Sequence, residues 1–248
     1  MSRDFSAALE ADAGRFASTH WSVVLAAGSR DNRRSREALA KLCATYWYPL
    51  YAFVRRQDFG PEDAEDLTQS FFAHLLEHEA LATVDRAKGK FRSFLLASLR
   101  HFLADERDRA WAQKRGGGCA LVPLDATYAE RRYALEPADA TSPDKLFERN
   151  WVLALMEQVL DRLRAEQVVA EKRAQFDLLR DCLMGDPDGP RYADLAAQLR
   201  MSEDAVKMAV SRLRRRYRQL LRQEIAHTVS TPAEIEEEIR HLFAALGS

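Results

Sequence analysis

Carboxylates three residues apart, as at Asp63 and Asp66, could hold a magnesium ion or divide acid and base work between them. Their surroundings argue against either task. The stretch they belong to, "PEDAEDLTQSFFAHLLEHE" (61–79), carries six carboxylates and no lysine or arginine, so pairs at helical spacing arise there by chance. The six histidines include no H-E-x-x-H pair and are read as surface or packing residues. Cys43, Cys119 and Cys182 are odd in number and have no C-x-x-C spacing, which points to neither a disulfide framework nor a zinc cage. A glycine-rich phosphate loop and a nucleophile-elbow pattern are also missing, so the sequence predicts no metal, no cofactor and no bond chemistry.

What the residues offer is local charge. The 37 Lys and Arg against 38 Asp and Glu leave a formal charge of -1, so any electrostatic role must come from segregation along the chain. Hydrophobic residues at 47% with only 10 Gly and 8 Pro describe a helix-rich globular protein, and 248 residues suit two domains. No apolar run approaches the roughly 20 residues that span a bilayer, and "MSRDFSAALEADAGRF" has no export-type apolar region. A cytoplasmic chain without a membrane partner is expected.

The elements that must carry these charges are helices. Apolar residues recur at three- and four-residue steps and no stretch alternates as a half-buried strand would, which predicts an all-α fold. Leu39, Leu42, Tyr46, Leu50 and Phe53 mark a first helix, with Pro49 at a point where it can kink. The acidic helix opens at Pro61, with Glu62, Asp63 and Glu65 in its first turn, where carboxylates favour the helix dipole. A third helix follows a basic connector and stops at Gly116-Gly117-Gly118, which opens an irregular linker. Helical pattern resumes behind Ser142 as N-cap and Pro143 as first helical residue, and a further helix covers "AEKRAQFDLLRDCLM". At the end, Thr231 and Glu234 stand at capping-box spacing before an apolar stripe of Ile235, Ile239, Leu242, Phe243 and Leu246. The expected division is an extension with a short helix (1–36), a helical domain (37–115), the linker (116–142), a second helical domain (143–228) and an extra C-terminal amphipathic helix (229–248).

"RYADLAAQLRMSEDAVKMAVSRLRRRYRQLL" has the pattern of a helix-turn-helix: a short helix, a turn, then Ser202 as N-cap of a second helix. Val206, Ala209, Val210, Leu213, Tyr217 and Leu220 would face inward. Glu203, Lys207, Met208, Ser211, Arg212, Arg215 and Arg216 would face outward, able to meet base edges near the amino end and phosphates farther along. Eight basic against two acidic side chains from Arg200 to Arg222 concentrate six net positive charges on this element. A solvated basic helix of an ordinary bundle would carry the same charge; the short helix, turn and N-cap favour DNA. Arg200 stands where glycine usually takes a left-handed conformation, and some strain is expected there.

The amino half narrows the choice. "YWYPLYAFVRRQDFGPEDAEDLTQSFFAHLLE", followed by "GKFRSFLLASLRHFLADERDRAWAQKR", resembles the σ2 domain of extracytoplasmic-function (ECF) sigma factors, whose pattern is an acidic "DAEDLVQEVF" helix before a basic-aromatic one. The carboxyl motif is similar to their σ4 domain, and the glycine-led segment to their interdomain linker. The resemblance covers residues 37–115 and 150–225, and "PEDAEDLTQSFF" is its most specific piece. It implies that Glu62, Asp63, Glu65 and Asp66 dock on the β′ clamp helices of core RNA polymerase, while Leu67, Phe71 and Leu75 face the domain's own core. It implies, too, that Arg86, Lys88, Lys90, Arg92 and Arg100, beside Phe91, Phe94 and His101, hold a melted promoter -10 element, with Arg107, Arg109, Lys114 and Arg115 extending the strip toward duplex DNA. The -35 element would be read by Ser202, Glu203, Lys207, Met208, Ser211 and Arg212, with Arg215 and Arg216 on phosphates.

Where the family pattern has valine and glutamate, this chain has Thr68 and Ser70. Some ECF groups with a threonine here are switched by serine/threonine kinases, so the resemblance implies that phosphorylated Thr68 restores negative charge and polymerase binding. A helical threonine bonded to a preceding carbonyl is the other reading. Core polymerase, promoter DNA and a Ser/Thr kinase are the expected partners, with an anti-sigma protein left open. The rival function is a stand-alone helix-turn-helix regulator whose amino half is an effector or dimerisation domain.

Overall fold

The computed structural model of the protein describes residues 32–77, 90–112, 126–136, 142–183, 190–226, 228–229 and 231–246. Among these residues there are nine α-helices and two short 3-10 segments, and no strand, so the all-α expectation holds. The helices are α1 (Asn32–Arg55), α2 (Pro61–Glu77), α3 (Phe91–Ala112), α4 (Ala126–Tyr133), α5 (Pro143–Val169), α6 (Arg173–Leu179), α7 (Tyr192–Leu199), α8 (Glu203–Ala226) and α9 (Ile235–Leu246). The short helix expected in residues 1–36 falls on 16–28, outside the described residues.

The described residues form two compact units, one of Met156–Glu224 and one holding the described residues up to Leu155 together with those from Ile225 onward. The boundaries fall inside α5 and near the end of α8. In the unit that contains α1 to α4, α1 packs on α2 and α4, and α2 packs on α3 and α4. Its core is aromatic, with Tyr46, Tyr51, Phe53, Phe71, Phe147 and Trp151 buried. Phe91 meets Tyr46 edge-on with centroids 5.6 Å apart, and Phe71 meets Phe102 at the same separation. Each such side chain contributes about 1.5–3 kcal/mol by leaving water. Pro49 does not end α1; the helix runs through it, and the proline is itself buried.

Within the segment read as an irregular linker, residues 126–133 form α4, a helix that the composition does not suggest. Tertiary contacts outweigh the local signal. Glu130 accepts hydrogen bonds from Tyr51 Oη at 2.5 Å and from Arg55 Nε and Nη2 at 3.0 and 2.7 Å, while the Arg55 guanidinium lies 4.7 Å from the Tyr133 ring centre. Just beyond, Glu136 accepts from Tyr48 Oη at 3.0 Å and from Arg149 Nη1 at 2.7 Å.

In the unit of Met156–Glu224, Val159, Leu163, Phe176, Leu179, Leu195, Val206, Val210 and Leu220 form the core. The start of α5, in the other unit, is as expected, with Ser142 Oγ accepting from the Lys145 amide at 3.3 Å. Its end differs. No breaker interrupts the helix before Val169, and Glu171 then takes a left-handed φ of 58° while the Lys172 amide bonds back to Gln167 O at 2.8 Å. The helix read as starting at Ala170 therefore begins at Arg173 and closes in a 3-10 turn at Arg180–Cys182.

Candidate functional site

Three charged surfaces carry the residues singled out above. The first is on α2, which starts from the Gly60 carbonyl, bonded by the Ala64 amide at 2.9 Å, with Pro61 in its first position. Glu62, Asp63 and Asp66 are exposed, and Glu65 is half-buried and accepts from Gln69 Nε2 at 3.1 Å. Among the described residues, Glu62, Asp63 and Asp66 meet no cation within ion-pair distance. Phe71 and Leu75 are buried as expected, whereas Leu67 is only half-buried. Leu67 instead lines a cleft of about 410 Å³ with Phe59, Asp63, Asp66, Ser70, Leu103, Glu106 and Arg107. Leu103, Glu106 and Arg107 come from α3, and the pairing of α2 with α3 was not visible in the spacing of either helix alone.

Thr68 faces away from that cleft's charge. It is fully buried, and its hydroxyl donates to the Ala64 carbonyl at 2.7 Å, the back-bond that a helical threonine makes when no water reaches it. A kinase reaches this hydroxyl only if α2 opens. Ser70, two residues on, is exposed and lines the cleft.

The second surface is the start of α3. Arg86 and Lys88 lie outside the described residues, as do Lys114 and Arg115, and of Arg109 only the helical backbone is described. The described cations of this set are engaged within the chain. Arg92 is not an outward side chain, as had been expected of a strand-binding residue. It is 4% exposed, bonds the Glu238 carboxylate and lies over the Trp151 ring at 4.6 Å. The reason is helical phase: Arg92 precedes Leu95, Leu96 and Leu99 on the buried side of α3. Lys90, at the surface, also bonds Glu238. Burial pushes the Glu238 carboxyl up, but Arg92 and Lys90 outweigh it and hold the group below the usual carboxylate range. Arg100 is exposed and pairs with Asp144. Arg107 is exposed, donates to Gln57 Oε1 at 3.3 Å and lies 5.1 Å from the Phe59 ring centre. Phe91, Leu95 and Phe102 are core; Phe94 is half-buried and stacks on Phe91 at 6.0 Å; His101 is exposed.

The third surface is α8 with α7 and the turn between them. Arg200 has the left-handed conformation expected of it (φ 52°, ψ 45°), and the turn closes with Arg200 N to Ala197 O at 3.3 Å and Met201 N to Ala196 O at 3.0 Å. Ser202 Oγ accepts from the Ala205 amide at 3.2 Å, so it caps α8 and is committed to the backbone. Val206, Ala209, Val210, Leu213, Tyr217 and Leu220 are all buried. Glu203, Lys207, Met208, Ser211, Arg212 and Arg215 are exposed, Met208 by 59%. Lys207 Nζ lies 2.9 Å from Glu203 and 3.7 Å from Asp204; the Glu203 hydrogen bond raises its pKa above the usual lysine value. Arg216 departs from the outward set. It makes a two-pronged bond to Glu166 of α5, Nε to Oε2 at 2.8 Å and Nη2 to Oε1 at 2.6 Å, and so braces α8. Arg214 likewise donates to the Cys182 carbonyl, at 3.1 and 2.6 Å. Of the arginines expected to meet DNA, this leaves Arg212 and Arg215 exposed on the face of Ser211 and Met208, and Arg218 and Arg222 of the same helix are exposed as well.

Sequence spacing also holds a histidine pair passed over above: His74 and His78 bracket Glu77 as H-x-x-E-H, a zinc-ligand spacing. His74 is half-buried with its ring 5.4 Å from that of Phe102, and His78 lies outside the described residues. Among the described residues no three His, Cys, Asp or Glu side chains converge as a metal site would need, and no helix is long and apolar enough to cross a membrane. Compared with known proteins, the chain matches no family model, no curated protein and no solved structure.

Proposed function

We propose that the chain is a sigma factor of the ECF type, which binds core RNA polymerase through α2, engages a -35 element in duplex form through α8 and helps open the -10 element with the cations around the start of α3. The observation that carries this reading is the α2 surface: Glu62, Asp63 and Asp66 are exposed and, among the described residues, meet no cationic partner, next to a cleft that Leu67 and Leu103 make partly apolar. Unpaired carboxylates beside exposed apolar area suit a basic, ridged partner such as a pair of clamp helices. The capped α8, with Lys207, Ser211, Arg212 and Arg215 outward, supplies the duplex contact that a sigma factor also needs. No catalytic role is assigned to any side chain. Regulation by phosphorylation at Thr68 enters this reading only as a step that first unpacks α2.

The test is co-purification of the chain with core RNA polymerase, followed by transcription on a promoter library. The native chain should comigrate with polymerase and give promoter-specific transcripts, and the double change Asp63→Lys with Asp66→Lys should weaken the complex about tenfold or more by setting like charges against each other. A chain that binds duplex operator DNA unaided and never comigrates with polymerase is the stand-alone regulator instead.

A further inference from the structure

The last helix does something its apolar stripe does not announce. Of that stripe only Leu242 is buried; Ile235, Ile239 and Leu246 are half-buried and Phe243 is 57% exposed. The most deeply buried side chain of α9 is a carboxylate, Glu238, which is 1% exposed and sits on Arg92 and Lys90. A helix added for stability would do at least as well with a leucine there, because a buried ion pair gains little net free energy over an apolar contact of the same size. The choice of a carboxylate therefore calls for an explanation other than stability.

Chemistry supplies one. A carboxylate and a phosphate are bound by the same donors: an arginine fork and a lysine ammonium. Arg92 also lies over the Trp151 ring at 4.6 Å, so its guanidinium is already held in place for an anionic ligand. The half-buried Phe94, next to these cations on α3, adds a face on which a base could stack. Around Glu238, α9 presents Glu236 and Glu237 outward, which would repel a nucleic-acid backbone as long as the helix stays docked.

We propose that α9 is a removable cover, in which the Glu238 carboxylate occupies the place of a single-strand DNA phosphate on Lys90 and Arg92. This rests on the sigma-factor reading for the biological role of the strand. A strand gains the site only by displacing α9, so the apparent affinity of the chain for single-stranded DNA is lowered by the fraction of molecules in which the helix is docked.

The experiment uses the full chain without polymerase and a fluorescent 12-nucleotide single-stranded DNA at low salt, read by anisotropy. Glu238→Gln should bind about tenfold more tightly than the native chain, and adding Arg92→Ala should abolish the gain. Equal affinity for the native chain and Glu238→Gln, or an equal gain for duplex DNA, overturns the proposal. Hydrogen exchange on the unaltered chain guards against a variant that fails to fold: amides of 235–246 should exchange faster when the oligonucleotide is added, and unchanged or slower exchange also overturns it. The two readings separate in the polymerase assay. If the native chain directs transcription while Glu238→Gln gains no strand affinity, the cover falls and the sigma reading stands. If Glu238→Gln gains strand affinity but neither chain comigrates with polymerase, the cover stands and the sigma reading falls.

Discussion

At the residue scale, the outcome turned on whether a side chain's partner was near in sequence. Ser202, Ser142 and Arg200 act within three or four residues, and all three took the cap or turn positions that their types foretold. Arg92 and Arg216 carry the same positive charge as their exposed neighbours, and only their partners, 146 and 50 residues away, show that they are spoken for. Thr68 stands between these cases, since both a phosphate acceptor and a back-bonded threonine fit its sequence context. Its burial has a measurable consequence. Thr68→Val should leave the thermal midpoint within a few degrees, because the hydroxyl bonds only to a carbonyl already used by the helix. Thr68→Asp should cost about 3 kcal/mol or more, since it forces an unpaired charge into an apolar core. Thermal unfolding of both variants followed by circular dichroism checks this, and an aspartate variant as stable as the native chain would show that α2 opens readily enough for a kinase.

At the element scale, helices with strong periodicity were legible and those held by distant contacts were not. The inward face of α8 follows directly from its spacing, whereas α4 lies in a proline- and alanine-rich stretch and owes its order to Glu130 meeting Arg55 and Tyr51 across 75 and 79 residues. The 3-10 turn at Pro232–Glu234 was missed for a related reason. Thr231 Oγ donates to the Glu234 carboxylate at 2.8 Å and the Glu234 amide bonds back to Thr231 O at 3.2 Å, so this pair closes a 3-10 turn and α9 begins only at Ile235. On α8, two neighbouring arginines should now behave differently. Arg215→Ala should lower DNA affinity and reduce its salt slope by about one with little change in folding stability. Arg216→Ala should lower the melting temperature, because it strips a paired carboxylate, Glu166, of its guanidinium. Salt-titrated DNA binding and calorimetry on the two variants provide the comparison, and matching profiles would show that Arg216 is not a brace.

At the scale of the whole molecule, the carboxylates that tie elements together share one electrostatic property. The Arg55 hydrogen bond holds Glu130 below the usual carboxylate range, Arg216 does the same for Glu166, and Glu238 is lowered by Arg92 and Lys90 against the effect of burial. A carboxyl whose folded value is depressed stabilises the fold fully above its unfolded value of about 4.3 and loses that contribution as pH falls through the folded value. Melting temperatures of the native chain and Glu130→Gln should therefore differ near pH 7 and converge as the pH falls from about 4.3 through the depressed folded value; a gap that does not narrow at all as the pH is lowered would mean that the ion pair is not what Glu130 contributes. The ion pair between α3 and α9 has a further consequence in time. A ribosome emits Arg92 long before Glu238, and at roughly 5–20 residues per second the 146 residues between them take roughly 7–30 s to make. A newborn chain thus spends that interval with its arginine and lysine open to polyanions, until the segment that carries Glu238 has been made and can dock on them.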